Sequence, residues 1–322
     1  MHRQQRSPST PWPYVGLGVL AQFIWGSYPV FAKRAVMETP KFSLLTFAWL
    51  ASMLVGALLM RWREHIPWQQ VWTTFRRMRI LWALSGFLAV RSVTNIVAIE
   101  LTRATWVQLI NLLTPFAVAL LGVWFFEQPI PRYTFRALLL SLTGAVLMLV
   151  QDWSDIALGM TWRDGLGLAT ALLSTLSLAF YFQLVRRGRI RQVSSGMIMV
   201  QQGMTMWPVF LALSLLIGED WSAWGSVSGM GWVAIMAVIW LVQVSGNLIQ
   251  ITALGGANPA LITSLMALRL VSALLLAWLL LGEMLVTPAQ WLGALLVILT
   301  VSIYLWLQRD RAPTAAATEK AT

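Results

Sequence analysis

Two arginines lie near the middle of long apolar runs. Arg91 and Arg269 are each about ten residues, or roughly 15 Å along a helix, from either end of their run. A charge at the bilayer centre costs about 2.5 to 3.5 kcal/mol on insertion scales, and no acidic residue lies in the middle of an apolar run to offset it. A guanidinium is a fork of donors that fits carboxylate, phosphate or sulfonate, so the pair favours an anion supplied from outside the chain. The alternative is structural, with each Arg bonding helix carbonyls and nearby amides or reaching water through a cavity.

Neutral polar residues recur at helical spacing within other apolar runs. They are Gln243, Asn247 and Gln250 in one run, Gln108 and Asn111 in another, with Pro115 at the same helical spacing, and Asn95 one turn after Arg91. Their spacing places each set on one face of a helix, where contact with lipid would leave it without partners. Substrate binding is favoured for the set, whereas bonding between helices explains any single residue at least as well. Trp25 and Tyr181 complete the candidate substrate site, with packing as their alternative role.

The elements that must position these residues are membrane helices. Of the 322 residues, 58% are hydrophobic and 11% are charged, and the mean hydropathy is +0.70. Lipid offers the backbone no hydrogen-bond partner, so a crossing helix needs about 20 predominantly apolar residues. The ten runs that we interpret as spans are Pro13–Ala32, Phe42–Met60, Ile80–Ile99, Ala104–Phe126, Phe135–Val150, Gly165–Val185, Ser195–Ile217, Gly229–Leu254, Pro259–Leu281 and Ala289–Leu307.

Charge and composition predict the orientation and exclude several functions. If the N-terminus is cytoplasmic, most of the 23 Lys and Arg residues fall on the cytoplasmic side, which predicts a multi-pass inner-membrane protein with both termini cytoplasmic. The net charge of +11 comes from short basic clusters between spans, so nucleic acid is not an expected partner; anionic lipid is the alternative. Cys is absent, and His2 and His65 lie outside the spans, so no metal site is expected. Without a Gly-rich nucleotide-binding loop, no cofactor is expected.

The two halves of the chain match each other weakly but in the same order. The matched segments are Tyr28–Arg34 with Tyr181–Arg187, Arg91 and Asn95 with Gln243 and Asn247, Leu120–Glu127 with Ala277–Glu283, and Ala137–Thr143 with Ala294–Thr300. Each half holds five spans, an odd number, so the second half must enter the membrane from the opposite side. We therefore predict a first repeat at 13–151, a second at 164–307, and cytoplasmic tails at 1–12 and 308–322.

The segments that end each half's fourth span carry a family resemblance. Leu112–Gly122, which leads to Glu127, and Trp278–Glu283 resemble the paired signatures of the drug/metabolite transporter superfamily, in particular its EamA-domain members. The opening Phe23–Phe31 is similar to that family as well, and the resemblance covers residues 14 to 307. It implies an all-α membrane protein of ten transmembrane helices, built as two inverted five-helix repeats. A central cavity would be lined mainly by spans one, three, four, six, eight and nine.

These features together predict a secondary transporter rather than an enzyme. The substrate would be a small organic metabolite, anionic or carboxylate-bearing, that moves by alternating access. Exchange or downhill export is favoured, because no mid-span carboxylate is present to carry a proton. Alternatives are an exporter of neutral amino acids or drug-like compounds, a non-transporting assembly subunit, and a membrane enzyme, whose acidic candidates Asp152, Asp155 and Asp164 form no clustered motif. Expected partners are a small-molecule substrate and membrane lipid. A homodimer is a further alternative.

Overall fold

The helices follow one another along the whole described part of the chain. The computed structural model describes residues 12–102, 107, 110–127, 130–149, 161–281 and 287–309, and over these ranges the chain is helical with no strand. In chain order the helices are α1 (Trp12–Val36), α2 (Lys41–Trp62), α3 (Trp68–Arg77), α4 (Arg79–Leu101), α5 (Thr114–Phe126), α6 (Thr134–Leu149), α7 (Trp162–Ile190), α8 (Ser195–Ile217), α9 (Gly229–Gly256), α10 (Pro259–Ser264), α11 (Leu268–Leu281) and α12 (Pro288–Arg309).

Seven of these helices are long and apolar enough to cross a membrane: α1, α2, α4, α7, α8, α9 and α12. The shorter apolar helices α5 and α6, and α10 with the start of α11, lie in the predicted fourth, fifth and ninth spans. The all-α, multi-pass membrane fold is therefore confirmed. The start of the fourth span, the acidic candidates Asp152 and Asp155, most of both predicted tails and the signature residue Glu283 lie outside the described residues.

Local sequence signals begin and end the helices of the second half. Thr161 accepts the backbone N–H of Asp164, and Asp164 accepts that of Thr161, which forms a capping box at the start of α7. The Ser194 hydroxyl accepts the N–H of Met197 at the start of α8. Gly218 follows α8 with φ of 72°, a left-handed conformation that glycine adopts without steric cost.

Over the described residues, three of the predicted spans contain an interruption at a place where the sequence predicts a continuous helix. In the fourth, a turn at Leu112 and Leu113 precedes α5, because Pro115 cannot donate to the preceding turn. In the eighth, residues Ala237–Gly246 of α9 adopt π-helical geometry. In the ninth, the 3₁₀ turn Leu265–Ala267 separates α10 from α11. Such interruptions often mark binding sites in membrane proteins.

Close helix pairs hold the bundle together. α2 packs along α8 and α6 along α12; α4 and α5 both contact α7, and α9 and α11 both contact α1. Glycines allow the backbones to approach: a Cβ added to Gly203 would lie 2.4 Å from the Cβ of Met53, and one added to Gly144 would lie 2.8 Å from the carbonyl oxygen of Gly293. Small residues at helix contacts are the usual means of close packing in lipid.

The short helix α3 is an element that the sequence analysis did not predict. Its Val71 and Phe75 are buried, whereas Trp68 and Trp72 on the other side are about half exposed. The indole of Trp82 donates to the carbonyl of Phe75 and ties α3 to the start of α4. α3 is therefore an amphipathic helix of the kind that lies along a membrane surface.

Candidate functional site

Arg269 lies in the interior of the bundle as the second residue of α11, directly after the break between α10 and α11. Its Nε donates to the Oε1 of Gln22 on α1, and its Nη2 donates to the Oε1 of Gln250 on α9 at 3.3 Å. Its guanidinium also stacks over the ring of Trp25, 5.5 Å from the centroid. The two amides fit the structural alternative for this arginine. They use two of its five N–H donors and leave three for another acceptor.

Arg91 lies nearby on α4 with a different environment. Its guanidinium is within electrostatic range of Arg269 and of the phenols of Tyr28 and Tyr181. Among the described residues it has no hydrogen-bond or ion-pair partner, whereas its backbone carbonyl accepts from the hydroxyl of Ser174 on α7 at 3.0 Å. The two arginines are thus within electrostatic range of each other, and the side-chain donors of Arg91 have no acceptor in the part of the chain that the structure describes.

Tyr181 and Asn247 join the site through a residue that the sequence analysis did not assign to it. The buried Gln202 of α8 donates to the Tyr181 hydroxyl at 2.7 Å and accepts from the Asn247 amide at 2.8 Å. This chain of bonds links α7, α8 and α9. Gln202 stood out in the sequence as a polar residue in an apolar span, which is the one signal that could have identified it.

The other polar candidates divide between two arrangements. Asn111 donates to the Oδ1 of Asn95 at 3.0 Å, and its own Oδ1 accepts from the Thr175 hydroxyl at 3.3 Å, so this set joins α4, α7 and the start of α5. For these residues the structure favours bonding between helices. Gln243 is buried and its Nε2 has no acceptor among the described residues. Gln108 lies outside the described residues.

The broken backbone lies beside these side chains. Asn111 immediately precedes the turn before α5, Gln243 is within the π-helical part of α9, and Arg269 follows the 3₁₀ turn before α11. Hydroxyl groups bond backbone carbonyls at two of these places, because Thr114 donates to the carbonyl of Asn111 and Ser272 donates to that of Arg269. The interruptions therefore place polar side chains and backbone in the same part of the interior.

A narrow cleft lies at the interrupted fourth and ninth spans. This cleft, between α5, α6 and the α10–α11 junction, encloses about 10 Å³, which is room for one water molecule. Leu112, Pro115, Ser141 and Met266 are among its lining residues, and neither arginine borders it.

The carboxylates in the described ranges lie at or near helix ends, and none of them is paired with Arg91 or Arg269. Glu38, after α1, accepts from the backbone N–H and the hydroxyl of Ser228, and these bonds hold the pKa of Glu38 below its ordinary value of 4.5. Glu219 accepts two backbone N–H groups in the first turn of α2, from Phe42 and Ser43. In the part of the chain that the structure describes, no group of His, Asp and Glu is placed to hold a metal ion.

The fold and the interior cluster define a polytopic helical membrane protein with a cationic, amide-rich centre. Residues 12–150 match the model of the EamA-like transporter family, so this part of the chain carries an EamA-like domain. An uncharacterized transporter of Synechocystis is 29% identical, with 92% of this chain and 90% of that protein aligned. The predicted resemblance to EamA-domain members of the drug/metabolite transporter superfamily is confirmed.

A solved structure shows the same fold over nearly the whole chain. A crystal structure of another protein matches with a TM-score of 0.76 and covers 93% of this chain and 98% of that one. The two sequences are 17% identical, so this likeness concerns the fold alone.

Proposed function

We propose that the protein is a secondary transporter that moves a small organic anion, or a carboxylate-bearing metabolite, across the inner membrane by alternating access. The observation that supports this most directly is the pair Arg91 and Arg269, which lie within electrostatic range in the interior without an acidic partner in the described ranges. Guanidinium groups bind oxyanions through paired charge-assisted bonds, and a charge kept inside a membrane protein usually serves a substrate path.

The packing of the helices supports the two inverted repeats that alternating access requires. Among the predicted spans, span two packs against span seven, and span five packs against span ten. Each of these pairs stays the same when the two halves of the chain are exchanged. The same exchange turns the contact between spans three and six into one between spans eight and one, and the contact between spans four and six into one between spans nine and one. All four contacts are observed. Repeats at 13–151 and 164–307 related by a two-fold axis account for this pattern.

The electrostatics of the cluster favour exchange over proton coupling. A proton-coupled carrier of this kind uses an interior carboxylate or histidine, and the described acidic residues are at helix ends. An unloaded site with two cations is poorly solvated when the bundle closes around it, so the carrier reorients more readily with an anion bound. The basic loop clusters further support cytoplasmic termini.

The test is counterflow in proteoliposomes made with the full chain. Labelled succinate, glutamate and leucine are offered to vesicles preloaded with the same unlabelled compound, for the wild type, Arg91→Gln, Arg269→Gln and a control, Arg61→Gln. Arg61 is exposed at the end of α2. We expect anion counterflow in the wild type and in the control, and at least a tenfold loss in each interior variant, as for a lost charge-assisted bond of about 1.5 to 3 kcal/mol.

Two results would count against the proposal. Unchanged anion flux in both interior variants, at matched protein levels, would remove the arginines from the mechanism. A flux that follows an imposed pH gradient without any internal anion would contradict exchange.

A further inference from the structure

Several buried N–H donors in the interior of the bundle lack an acceptor. The Nε2 of Gln22, the Nε1 of Trp25 and the Nε2 of Gln243 are all buried and have no hydrogen-bond partner among the described residues. Unpaired buried donors are rare because each costs about 1 to 3 kcal/mol. Two of the three, those of Gln22 and Trp25, lie beside Arg269, which itself has unused donors, so together they favour an acceptor supplied from outside the chain.

Two of these donors belong to side chains that contact Arg269 directly. Gln22 already accepts from Arg269 through Oε1, which sets the plane of its amide and leaves Nε2 pointing away from that bond. Trp25 is one turn along α1, and its ring lies beneath the guanidinium. A Cβ added to Gly246 of α9 would lie 3.4 Å from the indole nitrogen, so α9 presents no side chain to it there.

Arg91 provides a second anchor a short distance away. The rings of Trp25 and Tyr28 are 6.4 Å apart, and Tyr28 is within electrostatic range of Arg91. Residues 25 and 28 differ by about 4.5 Å in height along α1. Arg91 on α4 and Arg269 on α11 thus lie within electrostatic range of each other, on either side of the Trp25–Tyr28 stretch of α1.

We propose that this region binds a small organic dianion, with one oxyanion group on Arg269, Gln22 and Trp25 and the other on Arg91. The inference rests on the proposed transport function and narrows its substrate class. A site of N–H donors and two cations matches oxyanion groups, which are acceptors throughout. It rejects an ammonium group, which has donors and a positive charge but no acceptor, so cationic compounds are excluded as substrates.

The experiment compares two matched probes on the purified full chain. Succinate and butyrate have the same four-carbon length and differ in the second carboxylate, and butane-1,4-diamine reverses the charge. Calorimetry or thermal shift measures binding to the wild type, Arg91→Gln, Arg91→Lys, Trp25→Phe and the control Trp221→Phe. The control removes an indole N–H that donates to Ser214 near the end of α8.

We expect the wild type to bind succinate at least tenfold more tightly than butyrate and to leave the diamine unbound. Arg91→Gln lowers succinate binding to the butyrate level and leaves butyrate unchanged, whereas Arg91→Lys keeps a clear preference for succinate because the charge remains. Trp25→Phe keeps the ring under Arg269 and weakens both carboxylates about tenfold, and Trp221→Phe weakens neither.

The outcomes separate this inference from the transport proposal. Equal binding of succinate and butyrate by the wild type, with counterflow intact, overturns the dianion site and leaves an anion transporter. Binding of the diamine also overturns it. A folded wild type that binds neither carboxylate and shows no counterflow overturns the proposed function itself. The wild-type comparison decides the inference even if a variant fails to fold.

Discussion

Gly26 lies at a close contact between α1 and α11 beside the candidate site. A Cβ added there would be 2.6 Å from the carbonyl oxygen of Arg269 and 1.6 Å from the hydroxyl oxygen of Ser272. The serine can rotate, but the carbonyl belongs to the helix backbone, so Gly26→Ala must push α1 and α11 apart. The change is therefore expected to lower stability and to displace the bond between Arg269 and Gln22 at the same time.

Gly16 in the same helix provides a matched control. A Cβ at Gly16 would meet nothing within 4 Å. Both alanines gain about 1 kcal/mol of helix propensity, and this gain cancels when the two variants are compared. The remaining difference is the clash at Gly26, about 1 to 3 kcal/mol for an overpacked core position. Gly16→Ala should be as stable as the wild type or slightly more so.

The measurement is reversible unfolding in mixed micelles, followed by tryptophan fluorescence, with succinate binding measured on the folded fraction. Gly26→Ala should unfold first and bind more weakly, and Gly26→Ala with Ser272→Gly should recover part of the loss because one of the two contacts is relieved. Equal stability of Gly26→Ala and Gly16→Ala would refute the packing of α1 against α11 described above.

Two further predictions concern groups away from the two arginines. Gln202→Leu leaves the hydroxyl of Tyr181 and the amide of Asn247 without their buried partner, so unfolding in micelles should show a loss of about 1 to 3 kcal/mol for each group; no loss would mean that water replaces the glutamine. Because Ser228 lowers the pKa of Glu38 in the folded chain, this stabilisation is full above the ordinary value of 4.5 and disappears as the pH falls through the lowered value. The melting temperature of Glu38→Gln should therefore fall less on acidification than that of the wild type, and parallel pH curves would contradict this.

Hydropathy located the membrane helices because the cost of an unsatisfied backbone in lipid forces long apolar runs. It did not reveal the breaks at Leu112, Ala237–Gly246 and Leu265–Ala267, since a span has the same average hydropathy whether its backbone is regular or not. α3 was missed for a related reason. A ten-residue amphipathic helix is too short and too polar for a search based on spans.

The candidate site was predicted in part. The cost of a charge in lipid was enough to place Arg91 and Arg269 in the interior, and helical spacing placed Asn247 on an inward face. The partners could not be predicted, because Gln22 and Gln250 reach Arg269 from helices whose rotation about their own axes is not encoded in periodicity. The same limit applies to Asn95 and Asn111, which bond to each other.

The exposed tryptophans of α3 have a consequence for how the rest of the protein can move. Trp68 and Trp72 favour the headgroup layer, and Val71 and Phe75 attach the same helix to the bundle. α3 thereby holds the connection between α2 and α4 at a fixed depth in the membrane. Tilting of α4, with Arg91 at its middle, then pivots about a point held at the water–lipid boundary, and its far end moves the most.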